Sequence, residues 1–337
     1  MPKKSVLGLT YTYNALKRHG YDVSDVMQHH GFDMENLDPS ALIDQAKEVS
    51  ILTDLLSTVN DPGFGIECGK EFTLAGYGSY GMLLMSSSSP FEAVQTGIQY
   101  QPLTFLLGKL FWEPEEEFSS LCYQPFYLPA SIERFIVDRD LSGTFRLMED
   151  LENMLNLSLM LVDISIAIPE PDNAASYHKR YGCPIHFNAP VTKIRTRNAY
   201  LTQKFPSSNP AVYAMHKKLC DEMINQRKVT QQNLSDSVIG HLNLFHKQFP
   251  TSEQVALSLG ISERSLRRKL QHDGTTFQRL LDNVRYEKAQ SYLLNTNSSI
   301  EQIAEHLDYS EAASFIRAFQ RWAGVTPAKF RRTQRSE

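Results

Sequence analysis

The sequence predicts an α+β domain over residues 1–230 followed by an all-α domain over residues 231–337, built from two helix-turn-helix units joined by a linker helix. Three observations predict it. From Thr251 onward the pattern of short amphipathic helix, tight turn and second helix occurs twice. The first two thirds mix strand-like runs with amphipathic helices and show no internal repeat. The polar stretch 226–237 separates the two regions. A chain of 337 residues is long enough to bury a core in each.

In the first domain, helices are expected near residues 11–17 and over 23–30. Residues 39–59 read as a longer helix with Ala41, Val49, Leu52, Leu55 and Leu56 as its apolar set. Ser89-Pro90-Phe91-Glu92 is a capping box with proline at the first helical position, opening a helix to about Tyr100. Strand-like runs follow at 104–111, 117–123, 159–168 and 184–187. Residues 141–157 form an amphipathic helix, with Leu141, Phe145, Met148, Leu151 and Leu155 on one side. A turn at 206–210 precedes a helix over 211–225. Gly76-Tyr77-Gly78-Ser79-Tyr80-Gly81 matches the dinucleotide-binding spacing. That fingerprint needs a strand before it and a full helix after it. Here Met85 runs straight into four serines and Pro90, so the glycines read as a tight turn beside the core or a pocket.

In the second domain, Thr251 and Gln254 form a capping box, Val255, Ala256 and Leu259 face inward, and Gly260 makes the turn. Ser262 caps the next helix, whose Leu266 and Leu270 point inward. Arg264, Arg267 and Arg268 then share the outer face with Ser265 beside them. The linker helix, 275–295, carries the stripe Phe277, Leu280, Leu281, Val284, Ala289, Tyr292 and Leu293. About 18 helical residues span roughly 27 Å, near the ~34 Å between major grooves one helical turn apart. The second unit opens with the capping box Ser299–Gln302 and the stripe Ile300, Ile303, Ala304, Leu307. Asp308 stands where the turn needs positive φ, a conformation Asp tolerates better than most residues. Ser310 is the expected cap of the following helix. There Phe315, Phe319 and Trp322 face the core, leaving Ala313, Ser314, Arg317 and Arg321 outside. Gly324 ends it, and Thr326-Pro327 starts a last short helix.

The charge distribution agrees. From Thr251 onward there are 13 basic and 10 acidic residues, a net of +3; the preceding 250 residues carry 21 and 28, a net of −7. A basic module on an acidic domain fits double-stranded DNA contacted at one end of the chain. Arginine is the side chain best suited to bidentate contact with guanine and with phosphate. The alternative is a solvated basic face on an ordinary surface helix.

Residues 234–332 resemble the DNA-binding domain of the AraC/XylS transcription regulators. The resemblance rests on Ile303-Ala304 and on the run Ser314-Phe-Ile-Arg317-Ala-Phe319-Gln-Arg-Trp322-Ala-Gly324-Val-Thr326-Pro327-Ala-Lys-Phe330-Arg331. It implies base reading by Arg264, Ser265, Arg267 and Arg268 in the first unit, and by Ala312, Ala313, Ser314 and Arg317 in the second. It also implies contact with RNA polymerase. Two departures matter. The family usually has Gly-Phe where this chain has Asp308-Tyr309, and alanines at 312 and 313 offer base edges no hydrogen bond. The first unit is therefore expected to carry most base readout. Residues 10–215 more loosely resemble the arabinose-binding-like N-terminal domain of the OruR-type branch of AraC regulators. That match rests on Gly76–Gly81, the helix start at Ser89, the run Tyr181–Phe187 and the turn Ser208-Asn209-Pro210. It implies small-molecule sensing and self-association as a homodimer.

Tyr77, Tyr80, Tyr100, Phe105, Trp112, Tyr123 and Tyr127 are the candidate effector-binding residues, with plain hydrophobic core as the alternative for most. A pocket so lined would suit an apolar or aromatic effector, such as a fatty acid, an aromatic compound or an apolar amino acid. Arg134 and Arg139 are candidates to pair with a ligand carboxylate, surface salt bridges being the alternative. The isolated cysteines Cys68, Cys122, Cys183 and Cys220 read as four buried thiols in a reducing cytoplasm, with a structural zinc site as the unsupported alternative. No catalytic residue, metal or cofactor is expected. The start Met-Pro-Lys-Lys-Ser lacks a signal peptide's apolar run, and no stretch suits a membrane span. Two other readings stay open. One is an enzyme fused to such a DNA-binding domain, as in DNA-repair methyltransferases, against which the scattered cysteines speak. The other is a regulator without effector, controlled by abundance or by a protein partner.

Overall fold

The computed structural model describes residues 3–157, 160–229 and 234–334. Part of the expected strand at 159–168 and of the polar stretch at 226–237 lies outside them. The chain divides near residue 230 into two compact units.

The N-terminal unit is α+β. Strands β1 (Lys3–Ser5) and β2 (Leu42–Asp44) pair antiparallel, with Lys4 opposite Ile43. β2 occupies part of the stretch expected to be one helix from 39 to 59. Asp44 is the reason: it is extended, and its carboxylate accepts the Ala46 N–H at 2.8 Å, so the helix starts at Gln45 and runs to Leu56. Five further strands form one sheet: β3 (Gly108–Pro114), β4 (Phe118–Pro125), β5 (Leu161–Ser165), β6 (Ile185–His186) and β7 (Thr192–Arg197). Their order is β3-β4-β7-β5-β6, parallel only between β5 and β6. β7 lies outside the expected strands. It alternates buried Thr192, Ile194 and Thr196 with Lys193, Arg195 and Arg197, and only Ile194 is a large apolar residue.

The helix expected at 141–157 begins at Ala130 and ends at Leu155. Its Val137, Leu141 and Phe145 pack with Leu110, Tyr123, Ile164 and Ile194 of the sheet. Its apolar stripe is thus spent within its own unit. The helix Phe64–Gly69 crosses it closely, because Gly65 and Gly69 lack side chains. A Cβ at Gly69 would lie 2.4 Å from the Arg139 carbonyl oxygen. A second cluster joins Phe72, Tyr77, Tyr80 and Tyr100 to Cys220 on the helix Pro210–Val229.

The C-terminal unit is all helical: Leu234–Asn243, Ser252–Ser258, Glu263–His272, Phe277–Asn295, Ile300–His306, Ala312–Ala323 and Pro327–Gln334. The expected polar joint is therefore partly helical on both sides. Val255, Leu266, Leu280 and Val284 are buried around the first pair of short helices. Ala289, Leu293, Ile303, Leu307, Phe315 and Phe319 make the core of the second.

Candidate DNA interface and effector cavity

The first helix-turn-helix unit forms from local signals. The Thr251 N–H donates to Gln254 Oε1 at 2.8 Å, and the Gln254 N–H donates back to Thr251 Oγ1 at 3.3 Å. Gly260 turns the chain at φ 68°. Ser262 Oγ accepts the Ser265 N–H at 3.2 Å and opens the second helix, Glu263–His272. Leu266 and Leu270 point inward. Arg264, Arg267 and Arg268 are exposed. Among the described residues none of the three has a hydrogen-bond or ion-pair partner, so their guanidinium groups are uncommitted. Ser265 is half-buried, and its hydroxyl is engaged with Ser262 at 3.0 Å.

The second unit repeats the design, with differences. The capping box of Ser299 and Gln302 is present, and Asp308 takes φ 63°. The Asp308-Tyr309 pair is tied to the linker helix Phe277–Asn295 by Arg285. That guanidinium donates to the Asp308 carbonyl at 3.4 Å, faces its carboxylate at 3.6 Å and lies 4.9 Å from the Tyr309 ring centre. A glycine and a phenylalanine would forgo the carboxylate contact. Ser310 does not cap the next helix; it starts at Ala312 behind Glu311, without a side-chain cap bond. Ala313 and Arg317 are exposed and Ser314 is half-buried, with Arg317 Nη2 donating to Ser314 Oγ at 3.0 Å. Arg321 is exposed but leans to Asp282 of the linker helix at 3.4 Å. Phe315 and Phe319 are fully buried, whereas Trp322 packs against their cluster only half-buried. Thus the first unit offers three free guanidinium groups; the second offers two engaged ones.

In the N-terminal unit a cavity of about 70 Å³ lies between the helices Ser79–Met85, Pro90–Gln99 and Ala130–Leu155, with Leu110 of β3 and Leu121 of β4 on its wall. Of the seven aromatic candidates only Tyr77 and Tyr80 line it. Tyr100 donates to Asp221 at 2.6 Å, and Phe105 stacks on Tyr77 with centroids 4.3 Å apart. Tyr123 donates to Asp140 at 2.7 Å, and Trp112 meets Phe91 edge-on. Tyr127 is half-buried away from the cavity wall. Among the lining residues missed from sequence are Thr144 and Tyr200. Thr144 had a legible signal: it interrupts the apolar stripe between Leu141 and Met148. The Gly76–Gly81 motif has no strand before it. Gly78 turns the chain at φ 52°, and a Cβ at Gly81 would meet the Leu74 carbonyl oxygen at 2.4 Å, so the motif serves close packing.

Neither arginine suggested for a ligand carboxylate reaches the cavity. Arg139 is fully buried, with Nε donating to Asp140 Oδ1 at 2.9 Å and Nη2 to the Phe105 carbonyl at 3.2 Å. Arg134 Nη2 donates to Asn173 at 2.9 Å and its Nε faces Asp138 at 3.6 Å. Beside Arg139 and Asp140, burial holds Lys4 down to about 8 and pushes the Glu48 carboxyl upward. Among the described residues no cluster of His, Cys, Asp or Glu is placed to hold a metal ion, and no helix is long and apolar enough to cross a membrane.

Two helix-turn-helix units in one helical domain, behind an α+β domain, define a class: DNA-binding transcription regulators with a paired reading head. The chain belongs to the family of AraC transcription regulators. Residues 20–205 match the family model described as the arabinose-binding domain of AraC transcription regulator, N-terminal, and residues 255–333 match a helix-turn-helix domain model. Over 318 residues it is 26% identical to an uncharacterized HTH-type transcriptional regulator of Mycobacterium tuberculosis, covering 93% of this chain and 92% of the relative. It is 27% identical over 276 residues to the ornithine utilization regulator of Pseudomonas aeruginosa, covering 80% and 79%. The crystal structure of the transcriptional regulator CdpR from Pseudomonas aeruginosa aligns with 93% of this chain and 98% of its own, at 21% identity and a TM-score of 0.47.

Proposed function

We propose that this AraC-type regulator reads one DNA site with two helices set in successive major grooves, Glu263–His272 and Ala312–Ala323, under the control of a small molecule bound in the N-terminal cavity. In this reading residues 231–337 are an autonomous DNA-binding domain and residues 1–230 sense the effector and dimerise. The protein is a regulator working in the cytoplasm, not an enzyme, and it acts on RNA polymerase. Arg264, Arg267 and Arg268 supply most base and phosphate contacts; Arg317 and Arg321 anchor the second half-site beside Ala313 and Ser314. The observation that carries this is the face of three uncommitted arginines at i, i+3 and i+4. Dimerisation is supported by Met215, Leu219 and Met223, exposed at i, i+4 and i+8 on the helix Pro210–Val229.

The test starts with a site selected from random DNA by the full-length protein. On it, Arg267→Ala and Arg268→Ala should each weaken binding by about 1–3 kcal/mol for every bidentate pairing with a base that the substitution abolishes. They should relax sequence preference in one half-site only. Equal losses on the selected site and on random DNA would make these arginines phosphate anchors without a reading role.

A further inference from the structure

The effector reading above leaves the chemistry of the ligand open, and the cavity wall constrains it. Among the described residues no Asp, Glu, Lys, Arg, His, Asn or Gln lines it. Its polar side chains carry hydroxyls. Two are already spent on the protein: Tyr80 donates to the Gly97 carbonyl at 3.3 Å and Thr104 to the Gln101 carbonyl at 2.7 Å. The hydroxyls of Tyr77, Thr144 and Tyr200 have no hydrogen-bond partner among the described residues. All three residues are buried, at 7%, 8% and 4% exposure. Buried polar groups are almost always paired, so these three lining residues carry hydroxyls that a ligand atom or water can complete. Burial pushes the Tyr77 and Tyr200 hydroxyls well above their usual titration range. Both therefore stay neutral, each able to donate and to accept.

A charged ligand has no counter-charge in this wall, and an ion moved from water into hydrocarbon without one is strongly disfavoured. That disfavours zwitterionic amino acids and the carboxylate of a fatty acid. A sugar brings more hydroxyls than the wall satisfies, and each left unpaired is penalised. The cavity therefore does not suit the pentose in the family model's description. Its size points the same way: about 70 Å³ is several times the ~10–15 Å³ that one water requires. That volume suits a compact molecule or the head of a short chain, and Met148 can repack to admit more.

Resting on the effector reading, we propose that the cavity binds an uncharged, mainly hydrocarbon molecule with one neutral hydroxyl or carbonyl group, held by Tyr77, Thr144 and Tyr200. The experiment uses the full-length protein and isothermal titration with 1-octanol, 2-octanone, 4-ethylphenol, octanoate, octylammonium, L-arabinose and L-ornithine. At least one of the three neutral lipophiles should bind saturably. Octanoate and octylammonium should bind at least tenfold more weakly than the alcohol or ketone, and the sugar and amino acid should not bind. Tyr77→Phe, Thr144→Val and Tyr200→Phe change almost no volume. At least one should lower affinity by about threefold to tenfold, the range for removing a neutral hydrogen bond, with an unaltered unliganded melt. Affinity unchanged in all three would overturn the hydroxyl assignment. Tighter binding of a charged probe or of arabinose would overturn the ligand class while leaving an effector site standing. If no probe binds, and Ala93→Phe, which fills the cavity, leaves regulation in a reporter strain untouched, the effector reading falls as well.

Discussion

Asp138 shows what a single buried carboxylate does to this fold. It accepts the Tyr177 hydroxyl at 2.7 Å and faces Arg134 at 3.6 Å, with Tyr181 also close enough to feel its charge. Burial outweighs these contacts and raises its pKa from 3.8 to about 6. The sign follows. The folded state holds this proton more tightly than the unfolded chain, so Asp138's contribution is greatest below the unfolded value. It declines as pH rises through about 6, by about 3 kcal/mol in all at 1.36 kcal/mol per unit. Asp138→Asn keeps an acceptor for Tyr177 and removes the buried charge. It should therefore stabilise the N-terminal unit at pH 8 and leave it unchanged near pH 4, read by urea melts at both. A less stable variant at pH 8 would mean that the Arg134 pair outweighs burial. At this scale the sequence was legible where exposure follows helical period: Arg264, Arg267 and Arg268 stand where the pattern puts them. It was not legible for the tyrosines, because one side chain serves equally as core, cap or ligand contact. Tyr123 turns to Asp140 and Tyr100 to Asp221, while Thr144 and Tyr200 reach the cavity from outside the aromatic stretch.

Elements of the C-terminal unit were legible because their signals are local: two capping boxes, Gly260 and Asp308 at positive φ, and stripes of period 3.6. The sheet was less so because pairing is not local. β7 is recognisable only once β4 and β5 flank it, and its alternating Lys and Arg suggest a surface loop. The start of Ala130–Leu155 was hidden for the converse reason. The charged run Asp138-Arg139-Asp140 interrupts the apolar stripe, yet all three are buried and partnered. The last helices also differ from what spacing implies. Phe315, Phe319 and Trp322 share a face by period, but only the phenylalanines are fully enclosed, and the indole N–H is covered without a hydrogen-bond partner among the described residues. Phe319→Ala should cost about 3–5 kcal/mol, the range for emptying a buried aromatic site, and Trp322→Ala distinctly less. Circular dichroism melts of the fragment 234–337 would show the order. A larger loss for Trp322→Ala would place the indole, not Phe319, at the centre of that core.

At the scale of the whole molecule, the acidic and basic portions of the chain divide two tasks that a regulator must couple. The coupling is thermodynamic: a ligand shifts an equilibrium only by its difference in affinity for the states concerned. If the effector tightens DNA binding, DNA must tighten effector binding by the same factor, typically 5–150-fold. We expect this factor to pass through a dimer formed by the N-terminal unit along Met215, Leu219 and Met223. Such a stripe repeats every fourth residue and is suited to meet its own copy across a two-fold axis. The fragment 234–337, with its own caps and core, should then fold and bind DNA as a monomer, because it carries both helix-turn-helix units. The full-length protein should sediment as a dimer. Leu219→Glu, which sets a charge in the middle of the stripe, should return it to a monomer without altering its melting behaviour. In that variant, calorimetry with and without operator DNA should find the ligand affinities equal, whereas in the parent protein they differ. A dimer untouched by Leu219→Glu would move the interface elsewhere. Undiminished linkage in a monomeric variant would show that the effector acts within a single chain.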